Sequence, residues 1–203
     1  MKKHLLVQSI LLSIIFAYLP LSGMAAEKLL IDNFEAKTNA LYTKSAVYKK
    51  APSEAKKGNT AKEKFSGEKS LFVGYKKMKE GWCGYYVEFK TGSNYFDGTK
   101  YSKITFMIKG KRGEENFQVG LADKTWYEME DSVKSDDIGN YLPDGKITTE
   151  WQKAEIPLQI FVDKRDGDFD LATLGSMAVC FETSCFPDGT GKGVVYIDDL
   201  TLE

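Results

Sequence analysis

The chain has 203 residues, with 28 Lys or Arg against 29 Asp or Glu and a formal net charge of −1. That balance excludes a nucleic-acid partner held by net charge, and the length fills one good core without reaching two comfortable domains. The single histidine is His4.

The chain opens with Lys2 and Lys3, a mostly apolar run from Leu5 to Leu19, then Pro20 and the small residues of Gly23-Met24-Ala25-Ala26. This pattern predicts an export signal over residues 1–26 and a mature chain beginning near Ala26 or Glu27. The run is short for a membrane span, and nothing later in the sequence resembles one. Location is therefore expected to be secreted or periplasmic. His4 leaves with the signal. Ser-His-Asp and Cys-His nucleophile pairs, His-ligated zinc and a His general base are then excluded.

Residues 27–203 read as one domain with 26 basic and 29 acidic residues, a net charge of −3. The charge is uneven. Residues 37–79 hold twelve Lys and three Glu, and residues 113–137 hold eight acids and two Lys. Such runs serve as solvated faces and Lys-protected strand edges, or place an anionic ligand near the Lys-rich segment.

Helical periodicity is nearly absent. Short apolar runs between Gly, Asn and Asp turns predict an all-β, two-sheet sandwich. The expected strands lie near Leu29–Phe34, Ser70–Tyr75, Gly84–Phe89, Lys103–Lys109, Phe117–Leu121, Trp151–Pro157, Met177–Phe181 and Val194–Leu202. Eight strands over this length suit a jelly roll. Ala51–Lys64 is polar and Lys-rich and reads as a loop. Asp170–Leu174 reads as one helical turn, and the acidic stretch Asp163–Asp170 as a solvated loop.

Alternation sorts the strand faces. Cys83, Tyr85, Val87 and Phe89 share a core side, as do Ile104, Phe106 and Ile108, then Phe117, Val119 and Leu121, then Met177, Val179 and Phe181. If these strands are neighbours, Tyr86, Glu88, Thr105, Met107, Lys109, Gln118 and Glu182 form one solvent-facing surface, and curvature makes it a groove. The connection from Leu121 to Trp151 is long and carries Trp126 and Tyr127 among acids. Long connections are often functional. Flat aromatic rings suit the apolar faces of pyranoses, with carboxylates and amides for the hydroxyls. Equally, Trp126 can fold back as a lid on the core.

Cys83, Cys180 and Cys185 would meet an oxidising compartment after export, so one disulfide is expected. Cys180–Cys185 and Cys83–Cys180 both remain open. The last strand carries Asp198 and Asp199 within Tyr196-Ile197-Asp198-Asp199-Leu200. Carboxylates in an apolar strand are costly to bury alone, and a cation is one natural partner. The alternative is that one of them caps a strand bulge.

Four segments resemble, in order, the galactose-binding-like jelly rolls of carbohydrate-binding modules related to families 4, 11, 22 and 30. They are Leu29-Leu30-Ile31-Asp32-Asn33-Phe34-Glu35; Ser66-Gly67-Glu68-Lys69-Ser70-Leu71 followed by Trp82-Cys83-Gly84; Trp151-Gln152-Lys153-Ala154-Glu155-Ile156-Pro157-Leu158; and the Tyr-Ile-Asp-Asp ending. The resemblance implies a non-catalytic protein that binds a β-glucan or related polysaccharide or oligosaccharide on a concave sheet face. It also implies a structural calcium between first and last strands, with Asp198, Asp32 and Glu35 as the matching positions. Such modules usually accompany a catalytic domain, and none is seen in this sequence. Free glycan binding and a role in a secreted scaffold are both compatible with that.

The glycan site expected from faces and loop is Tyr86, Glu88, Lys109, Gln118, Trp126, Tyr127 and Glu182. One alternative is a secreted jelly roll used for protein or cell-surface association. Another is a small glycoside hydrolase using Glu88 and Glu182 as its carboxylate pair.

Overall fold

The computed structural model describes residues 27–203. The expected export signal lies outside the described residues. The strands are β1 (Leu29–Asp32), β2 (Ser45–Lys49), β3 (Glu54–Thr60), β4 (Ser70–Lys77), β5 (Cys83–Glu88) and β6 (Lys103–Gly110), followed by β7 (Gln118–Asp123), β8 (Val133–Asp137), β9 (Gln152–Pro157), β10 (Leu174–Cys180) and β11 (Gly191–Leu202). Two short helices, α1 (Lys124–Glu128) and α2 (Gln159–Asp163), decorate them. Among the described residues no helix is long and apolar enough to cross a membrane.

The strands form two antiparallel sheets. The first runs β3-β4-β11-β6-β9, with β1 also on β11; the second runs β2-β5-β10-β7-β8. The long β11 pairs with β4 through Ile197 and with β1 from Leu200 onward. This all-β sandwich is the expected architecture, and its core faces are the expected ones. Val73, Ile104, Phe106, Ile108 and Ile197 from the first sheet meet Tyr85, Val87, Val119, Leu121, Met177 and Val179 from the second, all buried. The alternation of apolar and polar residues puts one side of every inner strand in this layer.

The sequence reading missed three strands, and all three are sheet edges. β3 lies where Ala51–Lys64 was expected to be a loop, and only Ala55 of its seven residues is buried. β2 and β8 bound the second sheet. An edge strand needs few apolar residues, and lysines on it discourage pairing with another chain. Its sequence therefore carries little period-two signal. The long connection from Leu121 to Trp151 is accordingly not irregular: it contains α1, β8 and a 3-10 turn over Ile138–Tyr141. The turn expected at Asp170–Leu174 is present as a 3-10 turn over Leu171–Thr173.

β11 bulges between Asp198 and Thr201, with Asp199 in the left-handed region at φ 48°. The paired aspartates are therefore a structural bulge. Asp198 is fully buried, and its Oδ2 accepts hydrogen bonds from the backbone N–H groups of Phe65 at 3.0 Å and Ser66 at 3.1 Å. Its Oδ1 accepts from the Asp199 N–H at 2.9 Å. One carboxylate thus pins the turn before β4 to the last strand.

Cys83, Cys180 and Cys185 are all buried free thiols. Cys83 sits on the core side of β5. Cys180 alternates with core-facing Val179 and so points to the other side of β10.

Candidate functional site

The outward face of the second sheet is built on a floor of small residues. Register places Ala46 opposite Tyr86, Tyr86 opposite Ala178, and Ala178 opposite Gly120. A neighbouring row runs Tyr48, Gly84, Cys180, Gln118. The small residues let rings lie across the strands. A Cβ at Gly84 would stand 2.4 Å from the Tyr48 hydroxyl, so the Tyr48 ring crosses β5 at that glycine. Burial raises the Tyr48 phenol pKa well above its ordinary value, with Cys180 and Glu182 adding to the shift.

Tyr127 is delivered to the same face by α1. The Asp123 carboxylate caps this helix by accepting from the Trp126 N–H at 3.0 Å. The Tyr127 ring meets Tyr95 edge to face, with centroids 6.0 Å apart and planes at 84°. Burial and the neighbouring Glu88 carboxylate raise its phenol pKa. Lys90 lies 5.7 Å from the Tyr127 centroid, and Lys44 lies 5.7 Å from that of Tyr86.

At the opposite end stands Trp82. By alternation it shares its side of the chain with Gly84, Tyr86 and Glu88. It is 49% exposed, with the Lys50 ammonium 4.4 Å from its ring. The result is an aromatic strip along β2 and β5: Tyr95, Tyr127, Tyr86, Tyr48, Trp82. Carboxylates and an amide border it. Glu88 lies beside Tyr127, Glu182 lies near Tyr48 and Lys134, and Gln118 donates to Asp137 at 3.3 Å. Flat rings flanked by hydrogen-bonding groups suit pyranose recognition.

Of the residues expected at a glycan site, Tyr86, Glu88, Gln118, Tyr127 and Glu182 come together on this face. Lys109 does not. It lies on β6 of the other sheet, 2.8 Å from the Glu63 carboxylate, with its ammonium 6.0 Å from the Trp151 ring centroid. The expectation that β5, β6 and β7 share one surface fails because β6 pairs with β11 and β9. Thr105 and Met107 leave the surface for the same reason. Trp126 packs against the hydrophobic core, with the Arg165 guanidinium 5.0 Å from its ring centroid. It anchors α1, and its half-buried neighbour Tyr127 is the one that reaches this face.

Sequence reasoning missed Tyr48, Trp82 and Tyr95. Tyr48 was lost with β2. Trp82 was legible, because it continues the 84, 86, 88 side of β5 by one step. No sequence signal marks Tyr95, whose position depends on the loop before β6.

Glu88 and Glu182 are not a hydrolytic pair. Glu88 is in register with Ser176, whereas Glu182 follows the end of β10 at Cys180. Ser176 to Cys180 alone amounts to about 13 Å of strand. Paired glycosidase carboxylates stand within about 10 Å.

The residues matched to calcium by resemblance each accept hydrogen bonds from backbone donors. Asp32 Oδ1 accepts from the Phe34 N–H at 2.7 Å, and Glu35 Oε1 from the Glu68 and Lys69 N–H groups at 2.7 and 2.9 Å. With Asp198 already holding three N–H groups, all three side chains cap turns. Among the described residues no three His, Cys, Asp or Glu side chains gather as a metal site.

The fold is shared with solved carbohydrate-binding modules. A family 11 module of the cellulosomal cellulase Lic26A-Cel5E of Clostridium thermocellum is 17% identical, with a TM-score of 0.62 over 88% of this chain and 95% of that one. A family 11 module from Clostridium thermocellum in complex with a β-1,3-1,4-mixed-linked tetrasaccharide is 16% identical, with a TM-score of 0.60 over 88% and 96%. A family 30 module of the cellulosomal cellulase Cel9D-Cel44B of Clostridium thermocellum is 20% identical, with a TM-score of 0.62 over 87% and 97%. No curated protein matches this chain. The family model for carbohydrate binding domain 30 matches residues 30–203, nearly the whole described domain, and the chain belongs to that family of non-catalytic binding modules.

Proposed function

We propose that the outward face of the second sheet binds a β-glucan-type polysaccharide, with its sugar rings against Tyr127, Tyr86, Tyr48 and Trp82. The observation that carries this reading is the aromatic strip itself, laid over Gly84 and Gly175 and bordered by Glu88, Gln118 and Glu182. Membership of the family makes a glycan the expected ligand class. The mixed-linked tetrasaccharide held by the structurally similar family 11 module makes a β-glucan the first candidate. The side chains supply stacking surfaces and hydrogen bonds but no paired acid and base, so binding occurs without bond cleavage.

The test is affinity electrophoresis of the chain through gels carrying mixed-linkage β-glucan, xylan or mannan. Retardation by a β-glucan, with no reducing sugar released, supports the proposal. Retardation by xylan or mannan alone would assign a different glycan. Export is proposed from the pattern of residues 1–26, and intact mass of the protein recovered from cells tests it: a chain beginning near Ala26 or Glu27 is expected.

A further inference from the structure

A second surface lies away from the aromatic strip. At one end of the first sheet a cleft of about 480 Å³ is lined by Lys49, Lys56, Lys76, Lys111, Arg112 and Lys192. All six are exposed, and none belongs to an ion pair among the described residues. The lysines that pair with carboxylates lie elsewhere, as Lys103 does with Glu155 and Lys109 with Glu63.

The positions are set by register. Lys76 and Lys192 are direct cross-strand partners on β4 and β11, a like-charge pairing that disfavours the folded state. Lys56 crosses Gly74, where an added Cβ would stand 3.1 Å from its Cε, so a glycine keeps the floor open for the lysine stem. Lys111 is anchored beside them by its N–H, which donates to the Val194 carbonyl at 2.9 Å. Two carboxylates also line the cleft. Glu54 is exposed and opposite Lys76, without a close ion pair. Glu115 is buried and turned inward, accepting backbone N–H groups from Arg112, Gly113 and Glu114.

We propose that this cleft is a second glycan site, selective for polysaccharide segments carrying carboxylate or sulfate groups. Several cations of one sign around a concavity focus a field on an anionic ligand and relieve their own repulsion when it binds. Single-stranded nucleic acid fits less well: Tyr75 is the aromatic residue of the lining and is buried, so bases find no stacking platform. The cleft also lacks the large exposed apolar side chains that would insert into a membrane.

The test measures retardation of the chain in gels carrying polygalacturonate or dextran sulfate, beside a neutral β-glucan gel. Wild type is expected to bind at least one polyanion, with affinity falling as salt rises. Lys76→Gln combined with Lys192→Gln is expected to weaken that binding about fivefold or more, at an unchanged melting temperature and unchanged neutral-glucan mobility. Lys192→Ala alone gives a smaller loss in the same direction. Wild-type indifference to both polyanions would overturn the proposal, as would equal binding by the double variant. Loss of neutral-glucan binding alone would bear on the aromatic strip and leave the cleft standing.

Discussion

The Tyr127 side chain packs on the backbone of β10 at Gly175: a Cβ added there would stand 2.7 Å from the Tyr127 Cβ, Cγ and Cδ2 atoms. Gly175 has no left-handed φ, so backbone geometry does not demand glycine. The ring does. Gly175→Ala is expected to lift Tyr127 from the face and lower β-glucan affinity about three- to tenfold, with the fold intact. Titration calorimetry with a melting curve checks this. Unchanged affinity would remove Tyr127 from the site.

Trp82 and Trp126 should separate binding from stability. Trp82 is half-exposed at the end of the strip, and Trp82→Ala is expected to cost about tenfold in affinity, ~1.4 kcal/mol, with little change in melting. Trp126 is packed on the core, and Trp126→Ala is expected to cost about 2 kcal/mol of stability. Denaturant unfolding and titration of the two variants read the contrast. The opposite pattern would exchange their roles.

Asp32 offers a pH test. Its carboxyl pKa is raised above 3.8, chiefly by burial and also by the nearby Asp198. A carboxyl raised by folding contributes stability below its unfolded pKa and loses it as pH climbs through the folded value. Asparagine keeps an Oδ1 acceptor for the Phe34 N–H and carries no charge. Asp32→Asn is therefore expected to melt above wild type at pH 7, by about 2–4 °C for each kcal/mol gained, and to match it near pH 3. Thermal scans with chelator and with calcium decide it. Added calcium lifting wild type above the variant would instead mark Asp32 as an ion ligand.

The three thiols should be inert in the native state. Burial pushes Cys83 and Cys180 up to about 11 and Cys185 up to about 12, so almost no thiolate exists near pH 8. An aromatic disulfide reagent is expected to find no fast thiol in the native chain and three in denaturant. A single thiol in denaturant would reveal a disulfide.

What the sequence disclosed follows from how strongly each feature is buried. The inner strands are legible because Ile104, Phe106 and Ile108 or Val119 and Leu121 alternate against polar partners. The edges β2, β3 and β8 are not: Lys56 and Lys57 face water on β3, Lys134 is half-buried on β8, and the apolar residues of β2, Ala46, Val47 and Tyr48, are consecutive and do not alternate. That gap hid Tyr48 and its place in the strip. Lys109 was misplaced for a different reason: alternation fixes which side of a strand a residue takes, but not which sheet the strand joins. The Asp198-Asp199 pair was visible as an anomaly, and its bulge became apparent only with the register of β11 against β6.

The central claim is that sugar rings lie on the aromatic strip of the second sheet. The most direct measurement compares wild type with Tyr86→Ala in gels of mixed-linkage β-glucan, since Tyr86 stands in the middle of the strip on a floor of Ala46 and Ala178. Strong retardation of wild type and near-free migration of the variant, at equal melting temperature, is the predicted result. Equal retardation of both proteins would contradict the claim and place the glycan on another face.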